Sequence, residues 1–302
     1  MRIKRIELYS IFAIIMCVAA VFAMQSCKAK PIHKPVITVS IQPQKWILDK
    51  IVDDRFDVIC LLSQGSNPET YEPSMNHLIN LERSKAYFRI GYIGFELAIV
   101  DKAKKNNPLL MIFDNSKGID VISGTHEGLA HIKQSGGHHH EIDPHIWTSV
   151  RNARIIAGNM CDAVCEIDPS NSKTYKNNLR RLMNEFDALD EQIAKEIGKS
   201  KVKSFLVWHP SLSYFARDYG LTQISMEYEG KEIPAKLLKE EIDAAKESKA
   251  KVFFFQKEFD SRQVEILNEQ IRAKLVTINP MNYDWDKELK HIADELVAAE
   301  NN

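Results

Sequence analysis

Cysteine, glycine and an excess of charge of either sign are all in short supply in this chain. It has five cysteines in 302 residues. Beyond the N-terminal leader only Cys60, Cys161 and Cys165 remain, an odd number, and the last two stand one helical turn apart, so no disulfide framework is expected. Because Ile155, Ile156, Met160, Val164 and Ile167 surround that pair at helical period, the two read as core thiols rather than metal ligands. Only 12 glycines and an aromatic content of 9% argue against a disordered chain. No Gly-x-x-x-x-Gly-Lys-Ser/Thr occurs, and Gly91-x-x-Gly94 lacks the glycine spacing of a dinucleotide loop. His-Glu-x-x-His and Gly-x-Ser-x-Gly are absent too, which removes the commonest signatures of zinc peptidases and serine hydrolases. The net charge of −1 gives no footprint for nucleic acid. One long apolar run exists, residues 11–22, and it is too short to span a bilayer comfortably.

That run follows Arg2, Lys4 and Arg5 and ends at Met24-Gln25-Ser26-Cys27, the layout of an export signal. A small residue before cysteine at its end resembles a bacterial lipoprotein signal. Residues 1–27 are therefore expected to be a signal peptide with Cys27 as the lipidated first residue; the plainer alternatives are an ordinary cleaved signal or a single anchor helix. Residues 28–35, basic and proline-bearing, suit a tether. Loss of the leader leaves 37 Lys and Arg against 40 Asp and Glu, which again points away from nucleic acid.

From residue 36 short apolar runs alternate with helix-like stretches. Residues 36–41, 57–62, 87–92 and 109–113 read as buried strands, with helices near 44–53, 74–84 and 95–104. A second series follows, with strands at 204–208, 222–226, 251–255 and 274–278 and helices near 211–219, 234–248, 260–272 and 285–299. Between the two series Tyr175, Leu179, Leu182, Phe186, Leu189, Ile193 and Ile197 recur at spacings of three and four. They mark one amphipathic helix of about 27 residues, roughly 40 Å long, with Pro169 near its start and Gly198 past its end. The expected fold class is α/β: two (β/α)4-like domains with parallel sheets, residues 36–168 and 200–302, joined by a long rigid helix over 169–199. Residues 115–142 lack periodicity and read as a loop.

Ligands of open α/β sheets bind just beyond the carboxyl ends of strands, and two facing halves would put those ends at one cleft. Imidazole is the commonest transition-metal ligand, and six of the ten histidines lie between His126 and His145. His209 follows the apolar run Phe205-Leu206-Val207-Trp208 and precedes Pro210. His145 sits within Asp143-Pro144-His145-Ile146-Trp147. A lone histidine at such a place is more often structural than a ligand, whereas two at equivalent ends of two halves favour metal. Glu69, in the proline-stiffened loop Pro68-Glu69-Thr70-Tyr71-Glu72-Pro73, and Asn279, before Pro280, follow strands in the same way; taken singly, each would be a solvated turn residue.

These positions, in this order, resemble the zinc/manganese solute-binding proteins of bacterial ABC importers, the cluster A-I metal-binding lipoproteins. The resemblance covers essentially the whole mature chain, including the stretch Glu229-Gly230-Lys231-Glu232-Ile233-Pro234. Asp143-Pro144-His145-Ile146-Trp147 and Tyr71-Glu72-Pro73 are its most specific elements. It implies one divalent ion held between the halves by Glu69, His145, His209 and Asn279, with water as the alternative to Asn279. Two of these depart from the family pattern. Glu69 stands where the family usually has histidine, and Asn279 where an aspartate usually precedes proline, so Asn279 offers only a neutral amide oxygen. Two nitrogens with one carboxylate suit Zn2+ better than Mn2+.

His126, His131, His138, His139 and His140 would form a metal-collecting loop beside the cleft, the plain alternative being a solvated linker. The implied protein is a monomeric, lipid-anchored periplasmic receptor that delivers zinc to an ABC importer's permease and its ATPase, and is not an enzyme. A manganese receptor or an adhesin on the same scaffold are the alternatives, as is a zinc-dependent hydrolase with Glu72 or Glu141 as its general base. Trp147 and Trp208 are expected to pack beside the site and keep it dry.

Overall fold

A computed structural model describes residues 34–63, 65–68, 70–123, 142–226, 235–259 and 261–299. The leader with Cys27 and most of the tether lie outside the described residues. So do Glu69, His126, His131, His138, His139, His140, Glu141 and the stretch 229–234. Among the described residues no helix is long and apolar enough to cross a membrane.

Two four-stranded parallel sheets carry the fold. The first is built from β1 (Val36–Val39), β2 (Asp57–Cys60), β3 (Ser84–Arg89) and β4 (Met111–Asp114), in the order β2-β1-β3-β4. The second repeats that order with β5 (Ser204–Val207), β6 (Thr222–Ser225), β7 (Val252–Gln256) and β8 (Lys274–Ile278), as β6-β5-β7-β8. Helices α1 (Gln42–Val52), α2 (Met75–Arg83) and α3 (Gly94–Asn106) link the first four strands. Helices α6 (Ser213–Tyr219), α7 (Ala235–Glu247) and α8 (Ser261–Ile271) link the second four. Every central strand is covered on both faces, which is why these strands read as short continuous apolar runs rather than as alternating ones.

Most expected boundaries agree within two residues. The exception is β3, which begins at Ser84 rather than Tyr87 and ends at Arg89. Helix α2 runs into it without a loop, and the Ser84 hydroxyl makes the join by donating to the Asn80 carbonyl at 2.8 Å and bonding Thr38 Oγ1 at 2.7 Å. Past Arg89 the chain turns away: the Ile90 and Gly91 amides donate to the Glu96 carboxylate at 2.7 and 2.8 Å. Gly91 has φ +125°, and a Cβ there would fall 2.5 Å from Ser116 Oγ, so both conformation and space require glycine.

Between the sheets lie α4 (Val150–Ile167) and the long α5 (Ser172–Lys199), with α9 (Trp285–Ala298) closing the chain. Helix α5 has 28 residues, about 42 Å at 1.5 Å per residue. Pro169 opens a short 3-10 turn that feeds it. Gly198, expected past the end, lies inside its last turn, because the cap falls at Ser200, whose amide donates to the Ile197 carbonyl at 3.0 Å. Cys161 is buried on α4, and burial together with the neighbouring Cys165 pushes its thiol up to about 12, as a core thiol should behave.

The halves share one apolar cluster, reaching from Ile37 to Ala299, while a smaller one occupies the other face of the second sheet. Trp46 of α1, Phe186 of α5 and Trp285 of α9 meet with ring centroids 5.6 to 6.1 Å apart, joining first half, connector and second half. Such close-packed aromatic contact between three elements makes the connector stiff.

Candidate metal centre

The loop that returns from β4 to α4 is pinned before it reaches His145. Asp143 donates its amide to the Ile122 carbonyl at 2.9 Å, and its own carbonyl accepts from Tyr214 Oη of α6 at 2.8 Å. Asp143 Oδ1 then accepts twice from His145, from the backbone amide and from ring Nδ1, each at 2.9 Å. With Nδ1 committed as a donor, the lone pair of His145 lies on Nε2. Burial alone would raise the Asp143 carboxyl, but the bonds from His145 and Ser213 outweigh it and hold the group below its ordinary range.

His209 is reached differently. It leaves the carboxyl end of β5, and the side chain of Gln256, the last residue of β7, grips its main chain from both sides. Gln256 Oε1 accepts the His209 amide at 3.3 Å, while Nε2 donates to the His209 carbonyl at 2.7 Å and to Ser211 Oγ at 2.6 Å. The Phe259 ring stacks on the imidazole, 5.3 Å between centroids and 24° between planes.

These two arrangements bring the histidines together. Their Nε2 atoms lie 3.2 Å apart, with the rings edge to face. Both residues are buried, at 2% and 7% exposure, which is low for groups that must exchange protons with water. In a free protein one ring can donate to the other across this distance. Two nitrogens bound tetrahedrally to one zinc at about 2.0–2.1 Å would stand about 3.3–3.4 Å apart, so the pair already has the spacing of a shared ion.

The other expected residues fare variously. Asn279 follows β8, but its Oδ1 accepts from the Met281 amide at 3.2 Å and so closes its own turn. Glu69 lies outside the described residues, yet its loop is anchored on both sides: Pro68 is buried, and the Tyr71 hydroxyl donates to the Leu61 carbonyl at 3.0 Å. Glu72 is exposed. Trp147 behaves as expected, with its ring 5.2 Å from that of His145 and its Nε1 donating to the Pro280 carbonyl at 3.0 Å. Trp208 instead belongs to the smaller cluster, because strand alternation sends it and Leu206 to the face opposite Phe205 and Val207. Among the described residues no three metal-ligating side chains converge.

Two residues at this place carry no motif. Gln256 sits at the end of β7, and Glu258 follows two residues later with its half-buried carboxyl in electrostatic reach of both His209 and His145. Their only sequence signal is position: they stand where a strand ends, as the ligand candidates do.

Comparison with known proteins identifies the family. The zinc-binding lipoprotein AdcA of Streptococcus pneumoniae serotype 4 is 23% identical over 273 residues, covering 88% of this chain and 54% of its own length. The high-affinity zinc uptake system protein ZnuA of Bacillus subtilis is 25% identical, covering 81% of this chain and 78% of that one. The chain thus spans little more than half the length of the AdcA proteins it matches. A crystal structure of ZnuA superposes with a TM-score of 0.81 at 33% identity, over 88% of this chain and 99% of that one. The laminin-binding protein Lmb of Streptococcus agalactiae shares the fold, with a TM-score of 0.73 at 21% identity. Residues 37–299 match the family described as zinc-uptake complex component A, periplasmic, and the chain belongs to that family of solute-binding receptors.

Proposed function

We propose that this protein captures Zn2+ between its two α/β halves and delivers it to the permease and ATPase of an ABC importer, acting as a carrier and not as a hydrolase. The approach of His145 and His209 Nε2 to 3.2 Å, each from a different half, carries the reading. The ion is cargo. His145 and His209 offer it buried lone pairs, Asp143 sharpens the basicity of one of them, and Glu69 would add the charge that two neutral imidazoles lack. Cys27 would tether the receptor to the membrane by its lipid, leaving the monomeric body free to meet its importer. His126, His131, His138, His139 and His140 would gather zinc by weak, exchanging contacts. Zinc is preferred to manganese because nitrogen donors dominate the pair.

Isothermal titration of the soluble chain, begun after Lys34, tests the reading. One Zn2+ per chain is expected, with tighter binding than Mn2+. Absence of a single tight site, or tight binding that survives His145→Ala together with His209→Ala, would overturn it.

A further inference from the structure

Helix α6 begins at Ser213, close behind His209, and the stretch between them is tied down at each step. The Ser211 amide donates to the His209 carbonyl at 2.7 Å, and the Leu212 amide donates to Oε1 of Gln223, on β6, at 2.7 Å. Gln223 Nε2 in turn donates to Ser213 Oγ at 2.9 Å. α6 therefore leaves His209 in a fixed direction. Its side chains bear on the part of the first half that surrounds His145: Arg217 Nη1 donates to the Asp120 carbonyl at 2.8 Å, and Asp218 accepts from Ser149 Oγ.

Tyr214, fully buried on α6, enters the backbone that carries His145. Ser123 and Ile142 form an isolated antiparallel bridge, so Ile122 and Asp143 are the next pair along it. A hydrogen-bonded pair of this kind exchanges two bonds. One is made directly, the Asp143 amide donating to the Ile122 carbonyl at 2.9 Å. The other runs through Tyr214: the Ile122 amide donates to Oη at 3.1 Å, and Oη donates to the Asp143 carbonyl at 2.8 Å. A hydroxyl, which accepts and donates at once, is what this insertion needs, and burial raises the pKa of the phenol so that it keeps its proton. Asp143 is also the residue that holds the His145 ring, and Ser213, next to Tyr214, bonds its carboxylate. The carbonyl and the carboxylate of Asp143 are thus both held from the second half.

We propose that Tyr214 is a positioning residue of the metal site: its hydroxyl, by completing the Ile122–Asp143 pair from the second half, sets where His145 Nε2 stands relative to His209 Nε2. This rests on the receptor reading. The two imidazoles then owe their 3.2 Å spacing to the short path through α6 as well as to the long connector α5. Tyr214 acts on the ion through Asp143 and His145, as the outer contacts of metal ligands do.

The experiment compares the soluble wild-type chain with Tyr214→Phe, which removes only the hydroxyl, and with Tyr283→Phe, which removes another hydroxyl bond between the halves, from Tyr283 Oη to Asp49 Oδ2 at 2.9 Å. Zn2+ affinity is measured by competition with a chelating dye, the ligand geometry by the visible absorption of bound Co2+, and metal-free folding by thermal melting. Tyr214→Phe should fold, lose about 10–100-fold in affinity and shift the Co2+ bands, whereas Tyr283→Phe should keep the wild-type affinity and bands. In the metal-free wild type, hydrogen exchange at the Ile122 amide should be slow. Wild-type affinity and bands in Tyr214→Phe would overturn the assignment while leaving the receptor reading intact, and so would equal losses in the two variants. Weaker binding with unshifted bands would overturn the positioning role. Fast exchange at Ile122 would overturn it even if Tyr214→Phe failed to fold. A wild-type chain that takes up no zinc would sink both readings at once.

Discussion

The two halves of this molecule share a topology and present one histidine each, yet they hold it by opposite means. In the first half the ring itself is held: Asp143 accepts from Nδ1 and from the backbone amide of His145. In the second half an amide holds the main chain, since Gln256 bonds both the N–H and the C=O of His209, and Phe259 stacks on the ring. A carboxylate on the far nitrogen changes the basicity of an imidazole, whereas a clamp on the main chain changes only where the imidazole stands. Asp143 should therefore act on affinity through electronics, and Gln256 through placement.

Removing either ring is the bluntest way to break the comparison. His145→Ala and His209→Ala should each lower zinc affinity by more than about 100-fold, larger than any outer-contact effect, as read by chelator competition. A tenfold disparity between them would show that one half binds the ion largely alone. Asp143→Asn comes next, with an expected loss of about 10–100-fold and a fall in affinity that sets in at lower pH than in wild type, because an imidazole without its carboxylate partner is less basic and protons compete less well for its lone pair. An unchanged pH profile would show that Asp143 merely packs. Gln256→Ala should act mainly on stability. It leaves a buried amide and a buried carbonyl unpaired, which costs about 1–3 kcal/mol in chemical denaturation, with a smaller loss of affinity than Asp143→Asn. The reverse ranking would contradict the division between electronics and placement.

How much of this was legible in the sequence follows the same physics. Strands buried on both faces announce themselves as short apolar runs, and α5 as a stripe at three and four, so the doubled architecture was readable from the apolar pattern. The start of β3 was not, because a helix that passes into a strand without a turn leaves no glycine or proline to mark the change. His145 and His209 stand out because each sits beside proline, His209 at the end of a strand. Glu258 has the same placement after β7 but looks like any charged turn residue next to Lys257. What sets it apart is the pairing of β7 with β5, a long-range fact that no local pattern encodes. Asn279 shows the converse: a residue that follows a strand as expected and whose side chain also closes its own turn.

The subtlest contrast lies behind the histidines, where each half ties its strand ends with a buried side chain of different charge. Gln256 does this with a neutral amide. The first half also uses an amide, Gln44, whose Oε1 accepts from the Ser40 and Ile41 amides at 3.0 and 3.2 Å, but it adds the carboxylate of Glu96, fully buried beneath Ile90, Gly91 and the Ser40 hydroxyl. Burial pushes this carboxyl from 4.5 up to about 7, with the donors from Ser40, Gly91 and Ile90 pulling against it. A pKa raised by folding means that the native state holds the proton more tightly than the unfolded chain. The associated stabilisation is complete below about pH 4.5 and is lost as pH rises through about 7. Glu96→Gln cannot titrate, though its NH2 must face a backbone donor and costs about 1–3 kcal/mol at any pH. The stability gap between wild type and Glu96→Gln, measured by urea unfolding of the metal-free chain, should therefore narrow between pH 5 and pH 8, by at most about 3 kcal/mol. The matching comparison with Gln256→Ala should show no such narrowing. If the Glu96→Gln gap stays constant across that range, the carboxylate is ionised throughout, and the first half owes its strand-end knot to charge and not to a shared proton.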